Sequence, residues 1–348
     1  MHKDIAKIMR KRHKLVTIDD VAKEANVSPS TVSFSLNEPD KVNPDTRRHV
    51  LRITKEMGYS RVKKVKKRGY IGLISDDYWN MMAGEFYNIV IIGVFEELKK
   101  RGADILVDST DNDPERFPKM ITKNMVDGVL FLGTSGRDLA YIANQKKIPI
   151  VLIGHALPEA ELHSVVPDGR NGGFQATKHL IDLGHKKIAM VTGRPSYDPI
   201  AAERLEGYKF ALSQNGIRES EEYIAKADFC HPESAVEATK SLLELPDPPT
   251  AIFYSSDSLA YRGYPVIKEK GLQIPQDISV VGFDDLTAPG YAILPKPSLT
   301  TVRIDRLRMG KSCVELLYDI INDPNKPVFK YTLGVELVVK ESTAPPQK

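Results

Sequence analysis

The sequence lacks several features that would place it in other classes of protein. None of its 348 residues lie in a run of about 18 apolar residues, so no membrane-spanning helix is predicted. The only cysteines, Cys230 and Cys313, lack CxxC spacing, which argues against a disulfide framework or a zinc site and favours two buried thiols. The basic stretch Met1–Lys14 has neither the apolar run nor the cleavage site of a signal peptide, so we expect a cytoplasmic protein.

Signatures of catalysis and of metal binding are also missing. The sequence has no GxGxxG, Walker, GxSxG or HExxH motif. The neighbouring acids Asp284 and Asp285 lack the opposing acid of a glycosidase, and the acidic stretch 108–113 lacks the glycine and distal glutamate of a calcium loop. No metal-ligand spacing relates His155, His163, His179, His185 and His231. We therefore expect neither catalytic residues nor a metal or cofactor.

Charge is distributed unevenly along the chain. Residues 1–68 contain 18 Lys+Arg and 8 Asp+Glu, whereas the remaining residues contain 31 and 38, although the whole chain has a net charge of only +3. A basic head on an acidic body is typical of a module that binds a polyanion such as DNA. A basic tail without a specific target would look the same, so charge alone leaves both interpretations open.

Helix-start signals in the head predict a helix-turn-helix. Thr17 followed by Asp20 is a capping box, and this helix should end near Glu24 or Ala25. Ser28-Pro29 begins a second helix after a short turn at Asn26, a residue that tolerates positive φ. Asn43-Pro44 begins a third, which should close at Gly58.

The second helix has one inward and one outward side. Val32 and Leu36 face inward together with Val27, whereas Ser30, Ser33, Phe34 and Asn37 share the opposite side. Serine and asparagine can bond to phosphates or base edges, and an outward Phe34 could pack on thymine methyl groups. Phe34 could instead cover the third helix or a dimer contact.

Here the sequence resembles a known family. Residues 16–33, Leu36-Asn37 and residues 42–47 are similar to the N-terminal signature of the lactose/galactose-repressor family of bacterial transcription regulators. The resemblance implies that the second helix enters the major groove of operator DNA. Many relatives have Arg at the position of Phe34, so the base preference there should differ. The implied DNA-binding residues are Thr17, Ser28, Pro29, Ser30, Thr31, Ser33, Phe34, Asn37, Val42 and Thr46.

The linker between head and body is short and basic. Six of the eight residues from Arg61 to Arg68 are basic, and their mutual repulsion would destabilise an isolated helix. The family's connector is usually longer, with a Pro-Asn start and a leucine wedged into the minor groove. Val62 or Val65 could replace that wedge. Electrostatic tethering to phosphates, with ordering on DNA, is the alternative.

The body alternates short apolar runs with amphipathic stretches. Such runs suit strands buried on both faces of parallel sheets, and eight of them exceed one open sheet. We therefore predict an α/β body of two doubly wound, parallel-sheet lobes behind the all-α helix-turn-helix domain. The runs are Ile71–Ile74, Ile105–Val107, Val129–Leu132, Ile150–Ile153, Ile188–Val191, Ala251–Tyr254, Ser279–Phe283 and Val335–Val339.

Polar residues gather where these strands should end, which is where such folds bind ligands. Any one of them could simply be a cap or a turn residue, but together they suit a polyhydroxylated or flat polar ligand. They are Ser75–Asp77, Thr134-Ser135, Gly154-His155, the stretch from Gly193 to Asp198, Ser255–Asp257 and Asp284-Asp285.

The family resemblance continues through the body, on segments 126–130, 172–180, 183–185, 204–208, 275–285 and 299–302. It implies a periplasmic-binding-protein-like core with effector positions at Phe86, Tyr87, Asp198, Arg204, Phe229 and Asp284. Asp198 lies where purine-binding relatives have Arg, which favours a sugar over a purine. Trp79 could line the pocket mouth or cover a core edge.

These signals predict the domain organisation. We expect a head at 1–60, a linker at 61–69 and a body at 70–340. Prolines suggest lobe crossings near Pro167-Asp168, Pro289–Pro297 and Pro324–Pro327. Lobe one would then contain 70–167 and 295–325, and lobe two 168–294 and 326–340. The tail has no leucine heptads, so we expect a homodimer on a near-palindromic operator rather than a tetramer.

The sequence therefore predicts a transcription regulator, most simply a repressor, whose operator affinity is controlled by a small effector, a sugar. A solute-binding receptor without a role in gene control is an alternative, and an enzyme acting on sugars is another. A purine-type effector is the alternative ligand.

Overall fold

A computed structural model describes most of the chain. The N-terminal stretch, most of the linker, Asp77, Trp79, Thr134-Ser135, Cys230 and the side chain of Asn37 lie outside the described residues. The described residues are 16–57, 59, 69–76, 86–110, 113, 118–133, 147–157, 161–194, 198–229, 231, 233–286 and 296–347. The chain forms two compact units, Met1–Lys66 and Lys67–Lys348.

The first unit contains the three predicted helices. They are α1 (Ile18–Glu24), α2 (Pro29–Asn37) and α3 (Pro44–Glu56), with a 3₁₀ turn at Pro39–Lys41. The capping box is present, since Asp20 N–H donates to Thr17 Oγ1 and Thr17 N–H donates to the Asp20 carboxylate. Asn26 has φ +53°, as the tight turn between α1 and α2 requires. The core comprises Val21, Ala22, Ala25, Val32, Val50 and Ile53.

The second unit begins with lobe one. Its elements in chain order are β1 (Tyr70–Ser75), α4 (Tyr87–Lys100), β2 (Asp104–Ser109), α5 (Lys119–Thr122), β3 (Gly128–Leu132), β4 (Ile150–Ile153) and β5 (His163–Pro167). The strands pair in parallel, with Leu73 opposite Leu130. The central strands β1, β3 and β4 are buried almost throughout, as continuous apolar runs predict.

Lobe two follows. Its elements are α6 (Gly169–Asp182), β6 (Ile188–Thr192), α7 (Pro199–Gln214), a 3₁₀ turn (Glu221–Tyr223), β7 (Ile224–Lys226), α8 (Ser234–Leu243), β8 (Ala251–Tyr254), α9 (Asp257–Glu269), β9 (Ser279–Asp284) and β10 (Thr300–Ile304). The chain then forms α10 (Arg306–Asn322) and β11 (Lys330–Leu333) in lobe one, and β12 (Val335–Val338) in lobe two.

Within the described residues, each lobe is thus built on a six-stranded sheet. The strand orders are β11-β5-β4-β3-β1-β2 in lobe one and β12-β10-β9-β8-β6-β7 in lobe two. The strand pairs in the described ranges are parallel except β10 with β12, where Val302 lies opposite Leu337 in an antiparallel register. The doubly wound pair of lobes agrees with the predicted fold class.

Two of the three expected lobe crossings were placed wrongly. The chain leaves lobe one after Pro167, but it stays in lobe two through β10, because β10 pairs with β9. The second crossing is at Asp305, since α10 packs on α4 of lobe one, and the third is at Gly334, between β11 and β12. The prolines at 324–327 precede β11 and mark an ordinary connection, because proline ends regular structure whether or not the lobe changes. Of the expected crossing at 289–297, residues 289–295 lie outside the described residues.

Candidate DNA-binding and effector sites

The first turn of α2 is exposed. Ser28 caps the helix, its Oγ accepting a hydrogen bond from Thr31 N–H at 3.1 Å, and Pro29 occupies the first helical position. Pro29 and Ser30 are exposed, and Phe34 is 37% exposed. Val32, on the opposite side, is fully buried. This helix therefore presents small polar groups and one aromatic ring to solvent.

Phe34 lies beside a cation. The Lys41 ammonium group is 5.5 Å from the centre of the Phe34 ring. This cation–π contact places an ammonium group, which is also paired with Glu38, next to an exposed apolar surface. A surface of that kind suits contact with a thymine methyl group close to a phosphate.

The other predicted DNA-binding residues differ in their exposure and in their hydrogen bonds within the head. The Thr17 hydroxyl donates to the Asp20 carboxylate at 2.6 Å, and the hydroxyls of Ser28 and Thr31 are 2.9 Å apart. Both threonines therefore already have intramolecular partners. The half-buried members of the predicted set are Thr31, Ser33, Val42 and Thr46.

The structure brings two predicted effector residues into direct contact. Arg204 of α7 and Asp284 at the end of β9 form an ion pair, with Nη2 and Oδ1 3.2 Å apart. The side chains are only 5% and 7% exposed. A buried ion pair of this kind offers a donor and an acceptor side by side within one site.

Several neighbours position Arg204. Its Nη1 donates to the carbonyl oxygen of Ser255. The guanidinium carbon lies 3.7 Å from the centre of the Phe283 ring and 5.8 Å from that of Phe229. Arg204 Nε is buried, and among the described residues it has no hydrogen-bond partner. One donor of a rigidly held guanidinium is thus left without a protein acceptor in the described part of the chain.

Asp284 is held in an unusual backbone conformation. Its φ is +111°, and that of Asp285 is +52°. Such angles are rare for residues other than glycine and occur often at functional sites. Burial raises the pKa of Asp284, whereas Arg204 and a hydrogen bond from Ser256 oppose this effect.

Asp198 and Phe229 lie close to this pair. Asp198 caps α7, accepting a hydrogen bond from Ile200 N–H at 2.8 Å, and burial raises its pKa. Its carboxylate is therefore engaged with the backbone, on the helix that carries Arg204. Phe229 packs over Gly193, where a Cβ atom would lie 2.9 Å from the ring.

Phe86 and Tyr87 are neighbours on the lobe-one side. They are half-buried at the start of α4, and their rings meet edge to face with centroids 5.2 Å apart. Phe86 packs against hydrophobic clusters that include residues of both lobes, and its ring approaches Gly154 at the end of β4. It therefore lies where the two lobes meet.

Three buried residues belong to the polar groups predicted at the strand ends but were not among the six assigned effector positions. Ser255 supplies a carbonyl oxygen to Arg204. Asp257 accepts hydrogen bonds from Thr301 Oγ1 at 2.6 Å and from Leu286 N–H at 2.8 Å. Burial, reinforced by Asp284, raises the pKa of Asp257 well above its usual value. Their position after β8 was visible in the sequence, but their partners were not.

His155 is the third of these residues. It is 2% exposed, its Nδ1 is 3.1 Å from the carbonyl oxygen of Ile153, and burial lowers its pKa to about 4. Within the described ranges, Nε2 has no hydrogen-bond partner. The sequence showed no metal-ligand spacing around it.

Neither a metal site nor a membrane-spanning helix is found in the part of the chain that the structure describes. No group of three or more histidine, cysteine, aspartate or glutamate side chains there could hold a metal ion. None of the helices found there is long and apolar enough to cross a membrane.

Comparison with known proteins gives consistent matches over the two units. Residues 17–61 match the family of bacterial regulatory proteins, lacI family, and residues 177–343 match a periplasmic binding protein-like domain. The HTH-type transcriptional repressor CytR of Escherichia coli K12 is 32% identical over 344 residues, spanning 96% of this chain and 98% of that protein. The ribose operon repressor of Haemophilus influenzae is 33% identical over 336 residues, spanning 94% and 98%.

Solved structures of transcription regulators are also similar to this chain. A complex of the transcriptional regulator CelR with cellobiose has a TM-score of 0.72 and 31% identity, covering 94% of this chain and 99% of that one. A lacI-family regulator of Enterococcus faecium with bound ribose has a TM-score of 0.69 and 26% identity, covering 80% and 100%.

Proposed function

This chain belongs to the lacI family of bacterial regulatory proteins, and on that premise we propose that it is a transcriptional repressor whose operator affinity is set by a sugar. The head binds the operator and the two lobes bind the effector. The single observation that carries the effector half of this proposal is the buried Arg204–Asp284 pair. In this proposal the protein acts by binding, without catalysis, and it works in the cytoplasm, where operator DNA is found.

The exposed surface of α2 supports the DNA-binding half. Pro29, Ser30 and Phe34 project from the first turns of a helix that is capped and packed on its other side. A helix presented in this way fits the major groove, where small residues allow close approach to base edges. We propose that these residues read bases, and that Thr17, Val42 and Thr46 approach the backbone.

The effector site is proposed at the carboxyl ends of the lobe-two strands. The Arg204 guanidinium, with a free Nε among the described contacts, can donate to one hydroxyl group while the Asp284 carboxylate accepts from the next. Adjacent hydroxyls are the distinguishing feature of sugars. Phe86, Tyr87 and Phe229 supply apolar faces for the ring carbons.

A purine-type effector is the competing ligand. One relative, the HTH-type transcriptional repressor PurR of Haemophilus influenzae, is 31% identical over 341 residues. The carboxyl group of Asp198, where the resemblance places Arg in purine-binding relatives, favours the sugar. A thermal-shift series with D-ribose, cellobiose and guanine separates the two: we expect a sugar to raise the melting temperature and guanine not to. A rise in melting temperature with guanine and with neither sugar would show that the effector is a purine and not a sugar.

The operator is tested independently of the effector. Selection from random duplexes with the full chain should recover near-palindromic sites, because a homodimer places two heads on two half-sites. The affinity for the selected duplex should fall steeply between 50 and 200 mM salt, by about 10³-fold if six phosphates are contacted. Failure to enrich any sequence, together with weak and salt-insensitive binding, would favour a solute receptor instead.

A further inference from the structure

The turn that follows β9 carries two aspartates in different surroundings. Asp284 and Asp285 both have positive φ, +111° and +52°. Asp284 bonds to Arg204 in the effector site, whereas the contacts of Asp285 are with other cations. Asp284 of this turn therefore belongs to the effector site, whereas the next residue, Asp285, contacts a different set of charged groups.

Asp285 is held by two ion pairs. Arg303 Nε lies 2.7 Å from Oδ2, and Lys340 Nζ lies 2.7 Å from Oδ1. The Asp285 side chain is only 8% exposed, whereas those of Arg303 and Lys340 are 48% and 29% exposed. Burial raises the pKa of Asp285, but the hydrogen bonds from Lys340 and Arg303 outweigh this effect and hold that pKa below its usual value.

These contacts lead to the segments where the chain changes lobe. Arg303 lies two residues before the crossing at Asp305, and it also faces Glu336, just beyond the crossing at Gly334, at 3.8 Å. Arg306, the first residue of α10, donates from Nη2 to the Asp285 carbonyl oxygen at 3.0 Å. Since α10 packs in lobe one, this bond joins the turn of lobe two to the other lobe.

A cavity of about 350 Å³ adjoins the same groups. Its lining includes Asp285, Arg303, Arg306, Gly334 and Glu336, and so contains residues of two crossings. Loosely packed segments can take up a different arrangement at lower cost than a close-packed core. The two crossings and the turn thus meet beside a cavity, and this space allows their side chains and backbone to change position.

We propose that Asp285 is a positioning residue that couples effector binding at Asp284 to the arrangement of the two lobes. The inference rests on the proposed function, because it assumes that an effector binds at Asp284. A ligand that bonds to Asp284 changes the position of the turn, and Asp285 passes that change to Arg303 and Arg306. Asp257 keeps the turn stiff by accepting from Leu286 N–H.

The decisive variant is Asp285→Asn, which keeps the size of the side chain and removes its charge. Arg303 and Lys340 are partly exposed and can be hydrated, so the fold should persist. The variant should bind D-ribose, or cellobiose if ribose gives no thermal shift, within about threefold of the wild-type affinity. The sugar should, however, no longer change its affinity for the selected operator, whereas we expect a change of about 5–150-fold in the wild-type chain. Asp247→Asn, which breaks an exposed lobe-two pair with Lys187, is the control and should behave as wild type.

A wild-type sugar response in Asp285→Asn would overturn the proposal. So would a loss of sugar affinity of more than about tenfold with the response retained, because Asp285 would then serve binding rather than coupling. If Asp285→Asn does not fold, Arg306→Lys replaces it, since lysine keeps the charge but lacks the forked donor that reaches the Asp285 carbonyl. This variant should show the same loss of response.

Hydrogen exchange tests the proposal even if neither sugar acts. Without effector, Asp285→Asn should exchange faster than wild type by about tenfold at residues 304–307, while β8 and β3 stay protected. Unchanged exchange at 304–307 would refute the proposal. If the exchange result holds but no sugar alters wild-type operator affinity, the proposed sugar effector fails. The structural role of Asp285 in holding the crossing at Asp305 then stands, but its coupling to a sugar does not.

Discussion

At the scale of single residues, both proposed sites depend on side chains whose surroundings differ from those usual for their type. Arg204 and Asp284 are charged but buried, and each is the partner of the other. Phe34 is apolar but exposed. Replacing one member of a buried ion pair leaves the other charge uncompensated and lowers the stability of the fold. Replacing an exposed ring has little effect on stability and removes only the contacts that the ring makes with a ligand.

Phe34 should set base preference rather than stability. Phe34→Ala should weaken binding to the selected operator by about 1 kcal/mol for each half-site, because the contact with a thymine methyl group is lost, while the melting temperature stays within about 2 °C. Phe34→Arg should shift the selected sequence toward guanine at that position, since arginine bonds to guanine with two donors. Fluorescence anisotropy and repeated selection measure both effects. An unchanged base preference in both variants would show that Phe34 does not face the groove.

His155 should make the protein less stable in mild acid. The pKa of its imidazole is lowered from an ordinary 6.5 to about 4 by burial, so the unfolded chain takes up a proton first as pH falls below about 6.5. The resulting loss between pH 7 and pH 5 is about 2 kcal/mol of unfolding free energy. Urea titrations at the two pH values should show it, and His155→Gln should reduce the difference by that amount. An equal pH dependence in His155→Gln would mean that other groups cause the loss.

At the scale of helices and strands, glycines set how closely elements approach. A Cβ atom at Gly173 of α6 would lie 2.2 Å from the Arg204 carbonyl oxygen, and one at Gly207 of α7 would lie 2.0 Å from that of Arg170. The pair α4 and α10 repeats this arrangement through Gly93 and Gly310. Because α6 begins directly after the first crossing, its glycines place Arg204 relative to that crossing.

Gly173→Ala should therefore disturb the effector site as well as the fold. The clash is with main chain, which cannot be relieved by a rotamer change, so we expect about 1–3 kcal/mol of lost stability and weaker sugar binding. Gly72→Ala is the matched control, because the atom it meets at 2.7 Å is the flexible Met120 Sδ in the other lobe. Calorimetry and sugar titration compare the two. Sugar affinity that falls equally in both variants would contradict a specific role for Gly173.

Much of this element structure could be predicted from the sequence, because burial on both faces requires continuous apolar runs. Seven of the eight predicted runs lie within strands, and the eighth, Val335–Val339, extends one residue beyond β12. Four strands were not predicted: β7 is short, and β5, β10 and β11 interrupt their apolar residues with polar ones. Thr300 and Thr301 are buried because their hydroxyls have partners that are distant in sequence, namely Lys340, Thr343 and Asp257. Pairings of that kind also fix the lobe crossings, which proline positions alone could not locate.

At the scale of the whole molecule, charge and binding site are divided along the chain. The basic residues concentrate before residue 69, whereas the acidic body contains the buried Arg204–Asp284 pair. A sugar can alter operator affinity only through a different preference for the two arrangements of the lobes, because binding equally to both would shift nothing. The head alone therefore cannot account for regulation.

The most direct test is the affinity of the full chain for its selected operator, measured by anisotropy with and without saturating D-ribose or cellobiose. We predict a change of about 5–150-fold in the wild-type chain, which is the usual range for coupling between two sites, and none in Asp284→Asn. An operator affinity that neither sugar changes in the wild-type chain, or an Asp284→Asn chain that responds as the wild type does, would contradict the account.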